Sequence, residues 1–214
     1  MAPNGKAPPP EQTRAEARTE QLTNRLLQAA TKVFMEKGFE ATSMVEIARH
    51  AHASKETFYR YFPTKEELFR EVVYSRANVF VEEMSKVLVP HDPPAKALTS
   101  FGELMLRRIL TVEASALHRI LSMERERFPE LRGVFHEKGP ARVHAALSRY
   151  LAEQVAKGTL RKMSPAIAAR QFFDLVAAEM LMKINIAGFP NPTQAQMRRR
   201  VREAVDCFLY GYAI

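Results

Sequence analysis

Residues 42–68, TSMVEIARHAHASKETFYRYFPTKEEL, constrain the fold more than any other stretch: three helix-start signals and one helix breaker fall so close together that only two short helices and the beginning of a third can fit. Ser43 with Glu46 three residues on has the spacing of a capping box, in which the Ser oxygen and the Glu carboxylate reciprocally satisfy backbone N–H groups at a helix start. A helix is therefore predicted to open near Met44, with Met44, Ile47 and Ala48 on one face. The run His50, Ala51, His52, Ala53 interrupts that pattern, and Ser54 supplies a second N-cap. On the helix that follows, Phe58 and Phe62 lie four apart and point inward together, leaving Lys55, Thr57, Tyr59 and Arg60 on or beside the outer face. Pro63 ends it, having no N–H and no room for a continuing turn, and Thr64 with Glu67 repeats the capping spacing. Two helices of about two turns cannot bury enough apolar surface alone. They make sense as a helix-turn-helix whose second member enters a DNA groove.

The rest of the chain reads as helix as well. Apolar residues recur at three and four, glycine is scarce, and no alternating run of β-branched residues is bounded by turn pairs. A first helix is expected over about 19–37, stopped by Gly38. A long helix is expected from Thr64 to about 88, then helices over about 95–111 and 114–128, and a segment from Pro129 to about 157 bent at Gly139 and Pro140. Ser164 followed by Pro165 starts another helix, and the last begins near Thr193. The fold class is all-α with about nine helices. A Pro-rich tail (1–18), a DNA-binding domain (19–66, helix-turn-helix about 43–62) and a ligand-binding and dimerisation domain (67–214) are the expected divisions. The last two helices carry more Phe, Met and Ala than a terminal pair needs, which points to a dimer seam through Phe172, Val176, Met180, Val201, Val205, Phe208 and Tyr212.

Composition narrows the function classes. A net charge of +8 favours polyanionic partners, yet the first seventy residues hold eleven basic and nine acidic side chains, so the excess is not concentrated at the helix-turn-helix. One cysteine, Cys207, excludes an internal disulfide and suits a reducing, cytoplasmic compartment. The most apolar long stretch, residues 172–189, contains Asp174, Glu179 and Lys183 and is too polar to face lipid, so no membrane partner is expected. Histidines 118, 136 and 144 lack the short spacings of zinc sites, and neither a metal nor a cofactor is expected. No catalytic nucleophile motif, phosphate loop or HExxH occurs, which argues against an enzyme.

Leu26, Leu27, Gln28, Ala29 and Ala30 with Phe34 and Gly38, then Ser43 with Ile47 and Ala48, then Ser54, Lys55, Thr57, Tyr59, Phe62, Lys65 and Leu68 stand in an order and spacing that resembles the TetR family of transcriptional regulators. The resemblance covers about the first third of the chain. Family members usually carry Gly in the turn where this chain has His52; a side chain there costs about 1–2 kcal/mol if φ is positive. Farther on, ERERFPEL, GPARVHAAL and AARQFF resemble the AefR-like ligand domains of the same family.

The resemblance implies that Thr42, Ser43, Tyr59 and Lys65 grip the DNA backbone. That leaves His52, Ser54, Lys55, Glu56, Thr57 and Arg60 to face the groove, where Lys55 or Arg60 can donate to guanine and Glu56 can accept from cytosine. It implies dimerisation through the last two helices, and a long helix from Thr64 that joins reader to ligand chamber. One such domain covers few base pairs, so a homodimer on a near-palindromic double-stranded operator is expected, with repression the commoner habit of the family. The chamber would be lined by Phe80, Met84, Phe101, Met105, Ile109, Leu121, Phe128, Phe172 and Met180, with His118 among the polar handles. Its Met and Phe suit a small lipophilic effector. The alternative is a helical DNA-binding or protein-interaction protein without small-molecule induction.

Overall fold

A computed structural model describes residues 11–124, 126, 128–185, 188 and 190–213. Among these residues the fold is helical: α1 (Glu11–Lys37), α2 (Met44–His50), α3 (Lys55–Tyr61), α4 (Lys65–Lys86), α5 (Pro94–Ile109), α6 (Val112–Met123), α7 (Pro129–Lys138), α8 (Pro140–Ala156), α9 (Pro165–Asn185) and α10 (Gln194–Tyr212). The expected bent segment is two helices, α7 and α8, which meet at Gly139. A single antiparallel bridge, Leu160 to Ala213, is the only extended pairing among the described residues.

The chain divides into two compact units, one ending at Val72 and the other starting at Val73. The sequence puts this boundary earlier, at 66. Leu68, Phe69 and Val72 explain the difference, because all three are buried, and the Phe69 ring lies 5.2 Å from Phe34 and 5.3 Å from Phe39. Edge-on aromatic packing of this kind adds to the ordinary burial gain and draws the first two turns of α4 into the smaller unit. The helix α1 begins at Glu11 rather than near 19. Residues 11–18, EQTRAEAR, are good helix formers with no apolar stripe, so propensity builds the turns and periodicity gives no sign of them. The rest of the expected Pro-rich tail, residues 1–10, lies outside the described residues.

The core of the larger unit is drawn from α4, α5, α8, α9 and α10, with Phe101, Met105, Leu147, Leu151, Phe172, Val176, Val201 and Phe208 fully or almost fully buried. The helix α8 packs along α9, and α5 along α10. Two polar groups close its rim: Tyr150 Oη donates to Asp92 O at 2.9 Å, and Gln154 Nε2 donates to Pro90 O at 3.1 Å. Burial pushes the Tyr150 hydroxyl up to about 12, with the charges of Asp92 and Glu153 adding to the shift. The C-terminal turn of α10 is tied down by Arg161 N, which donates to Tyr212 O at 2.9 Å. The capping box at the start of α10 is complete, with Thr193 and Gln196 satisfying each other's backbone.

Candidate nucleic-acid interface

The short helices α2 and α3 are defined by their caps. Ser43 Oγ accepts from Glu46 N at 3.2 Å, and Ser54 Oγ accepts from Thr57 N at 3.1 Å while donating to Thr57 Oγ1 at 2.8 Å. The box expected at Ser43 is only half made. The Glu46 carboxylate turns to Lys37 Nζ at 2.5 Å, pinning the start of α2 to the end of α1. That hydrogen bond, with the charges of Lys37, His50 and Arg49 behind it, holds the Glu46 carboxyl below its usual range.

The turn between α2 and α3 closes on three backbone bonds: Ala51 N to Ile47 O, His52 N to Arg49 O and Ala53 N to Ala48 O. His52 sits at φ +49°, the one non-glycine residue with positive φ among the described residues. The left-handed position that the missing glycine implied is therefore real, and an imidazole occupies it.

On α3, Phe58 is fully buried and Phe62 follows it into the same core, with ring centroids 6.0 Å apart. The opposite face carries Lys55, Glu56, Tyr59 and Arg60, all exposed, with Ser54 and His52 exposed just ahead and Thr57 half-buried. Lys55 Nζ lies 5.8 Å from the centre of the Tyr59 ring, and the Arg60 guanidinium lies 5.7 Å from Tyr61. Cations resting on aromatic faces lose side-chain freedom before any partner arrives, which favours a pre-shaped reading surface.

Two residues expected on phosphate are engaged elsewhere. Thr42 is buried and its hydroxyl donates to Gly38 O at 2.6 Å. Lys65 Nζ donates to three backbone carbonyls, Phe39 O, Glu40 O and Thr42 O, at 2.9, 3.3 and 3.2 Å. Sequence reasoning missed Phe39, whose ring lies 4.5 Å beneath that ammonium. A Phe directly after the helix-stopping Gly38 was the available signal.

In the larger unit, the residues expected around an effector fall into two groups. Met84, Phe101, Met105 and Phe172 meet in the core, with Phe80, Ile109 and Met180 packed against it. Leu121 and Phe128 are buried outside that cluster, and His118 stacks edge-on against Phe135 at 5.5 Å. Two clefts, of about 470 and 650 Å³, are lined by other residues: Leu104, Arg107 and Met197 in the first, and Arg161, Asp174, Cys207 and Tyr212 in the second. His144 meets Phe173 edge-on at 5.1 Å, and its buried Nε2 makes no hydrogen bond among the described residues. Burial holds both His118 and His144 below the usual imidazole value; for His144, Asp174 opposes the shift while His136 and Arg170 add to it.

The expected dimer stripe lies inside a single chain. Phe172, Val176, Val201, Val205 and Phe208 are buried without a partner, and only Met180 and Tyr212 reach the surface to some extent. The reason is that α5 already covers the stripe, so helical spacing marked the nearest apolar neighbour rather than a second copy. What α9 and α10 turn outward is different: Ile167 and Met182 on one, Cys207 and a 96% exposed Tyr210 on the other. The ERER run (124–127) includes Arg125 and Arg127, which lie outside the described residues, as does Phe189.

No helix among the described residues is long and apolar enough to cross a membrane, and no cluster of three His, Cys, Asp or Glu among them could hold a metal ion. Two short capped helices that present a basic and aromatic face from a small helical unit, joined to a larger helical unit, define a helix-turn-helix regulator of transcription. The chain belongs to the TetR family. Residues 26–72 match the profile of bacterial regulatory proteins of the tetR family, and residues 96–214 match that of the AefR-like transcriptional repressor C-terminal domain. The crystal structure of a TetR-family transcriptional regulator from Mesorhizobium loti MAFF303099 is similar over 92% of this chain and 99% of its own, with 28% identity and a TM-score of 0.87. The flavonoid-responsive regulator FrrA matches over 91% of this chain and 98% of its own, with 31% identity and a TM-score of 0.70. The HTH-type transcriptional regulator YhgD of Bacillus subtilis (strain 168) is 32% identical over 92 residues, 41% of this chain and about half (48%) of that relative. The family consists of DNA-binding regulators, not enzymes.

Proposed function

We propose that the chain is a homodimeric repressor of the cytoplasm that reads a near-palindromic operator with α3 and releases it when a small lipophilic effector occupies the larger unit. The observation that carries this reading is the face of α3, where Lys55, Glu56, Tyr59 and Arg60 are exposed opposite a fully buried Phe58. Lys55 and Arg60 supply donors for guanine, Glu56 an acceptor for cytosine, and His52, Ser54 and Thr57 shorter contacts at the helix start. Ser43, exposed as the cap of α2, and Tyr59, exposed on α3, are suited to phosphate, which sets register without reading sequence.

A two-turn helix reads only a few base pairs, and a twofold copy doubles the site. The outward residues of α9 and α10, with Tyr210 and Met182 foremost, are the surface we assign to that copy. For the effector, the buried Leu121 and Phe128, with the His118 and His144 imidazoles each edge-on to a phenylalanine, suit an aromatic molecule carrying hydroxyl groups. The flavonoid response named for FrrA supports that class.

Selection of bound duplexes from a random-sequence pool tests the reading. A recovered inverted repeat, bound by a dimer and weakened by a flavonoid, is the expected result. Equal affinity for every duplex with a steep salt dependence would replace it with a non-specific DNA coat.

A further inference from the structure

We infer that Lys65 is a positioning residue that sets the frame of the helix-turn-helix by clamping the chain just before α2 to the start of α4, and that it makes no phosphate contact. The inference rests on the DNA-binding reading above but concerns how the reading helix is held.

An ammonium has three protons. In Lys65 all three have acceptors, the carbonyls of Phe39, Glu40 and Thr42, and the Phe39 ring closes the remaining side at 4.5 Å. Hydrogen bonds from a charged donor to carbonyls are among the stronger ones in proteins, and a ring face beneath the cation adds to them. The acceptors are themselves fixed. Gly38, at φ +81°, ends α1 and bonds back through Gly38 N to Phe34 O at 2.8 Å. Thr42 Oγ1 returns to Gly38 O, and Thr42 N to Phe39 O. The result is a small closed knot of backbone whose carbonyls converge on one side chain from elsewhere in the sequence.

The position of that knot gives it its role. Thr42 directly precedes Ser43, the N-cap of α2, while Lys65 lies three residues after Phe62, the C-cap of α3. One side chain therefore links the entry and the exit of the helix-turn-helix. The Phe34, Phe39 and Phe69 rings beneath it prevent the two ends from sliding. Losing the clamp frees the entry to α2, and with it the angle at which α3 is presented, while every side chain on the face of α3 stays in place.

A phosphate contact and a clamp differ in what salt does. Neutralising one phosphate on duplex DNA contributes about 0.9 to the slope of log affinity against log salt concentration; a clamp contributes nothing to it. The experiment uses the full chain and the duplex recovered from the random pool, with Lys65→Met, which removes the donors, and Lys65→Gln, which keeps donors but no charge. Lys65→Met is expected to lose about tenfold or more in affinity with an unchanged salt slope, and Lys65→Gln to recover some of the loss. A slope reduced by about 0.9 per protomer in both variants, or wild-type affinity in Lys65→Met, would overturn the inference. The wild-type chain gives an independent reading should the variants fold poorly. The ¹⁵N-edited NMR signal of the Lys65 ammonium should be visible in the free protein, because its protons are shielded from exchange, and should not move when the duplex is added. A signal absent from the free protein, or one that shifts with DNA, overturns the clamp. If no duplex is recovered, the regulatory reading fails, while the ammonium signal of the free chain still decides whether the clamp exists.

Discussion

Gly102 on α5 lies so close to Val201 on α10 that a Cβ at Gly102 would sit 2.9 Å from Val201 Cγ1 and 3.4 Å from Cγ2. The two helices approach there because one of them has no side chain. Val201 is fully buried and β-branched, so it has little freedom to turn away.

Gly102→Ala should therefore destabilise the protein. Overpacking of this kind costs about 1–3 kcal/mol, against about 1 kcal/mol gained by replacing a mid-helix glycine. A net loss of up to about 2 kcal/mol is expected in urea unfolding. Val201→Ala should remove the conflict, so the double variant should be more stable than the sum of the two single effects; simple additivity would show that the helices do not meet at this pair.

His52 at φ +49° should give the opposite result. Glycine relieves about 1–2 kcal/mol of left-handed strain and returns about 0.4–1 kcal/mol of it as freedom in the unfolded chain. His52→Gly is expected to raise the melting temperature slightly. A clear fall would mean that the imidazole stabilises the turn by more than its backbone costs.

Acid should weaken the larger unit through two imidazoles. Burial holds His118 and His144 below their usual value, so the folded chain resists a proton that the unfolded chain accepts. The stability they contribute is complete above about pH 6.5 and falls as the pH drops through that value. The carboxylates of Glu46 and Glu179, held low by Lys37 and Lys183, stay ionised across the same window. Melting curves from about pH 7.5 down to about pH 5.5 should show a decline that His118→Gln and His144→Gln flatten. A decline of equal slope in both variants would assign it to other groups.

On the reading face, Lys55→Ala should change which operator is preferred, whereas Tyr59→Phe should weaken all duplexes alike. A base contact of this kind discriminates by about 1–3 kcal/mol at one position. Competition between operators that differ at single base pairs measures it. Uniform loss after Lys55→Ala would place that side chain on the backbone instead.

The helix-turn-helix was legible because its boundaries are local chemistry. Ser43, Ser54, Thr64 and Pro63 each act within one turn of themselves, and the structure starts and stops α2, α3 and α4 beside them. The left-handed turn was legible for the same reason. The clamp at Lys65 was not, since its acceptors lie more than twenty residues away and are backbone atoms that no residue type announces. The stripe of Val176, Val201 and Phe208 was legible as apolar but not as interior, because a stripe states that it will be covered without stating by what. Residues 11–18 show the converse failure: helix with nothing to bury leaves no period.

Phe101 and Phe172 meet in the core with ring centroids 6.2 Å apart and planes tilted by 52°, and both are almost fully shielded from water. A guest reaching the space between them must first push apart a pair of aromatic walls that already satisfy one another. Any molecule that entered between these rings, and not at the His118 and His144 side proposed for the effector, would arrive only as often as the rings part, however concentrated it was.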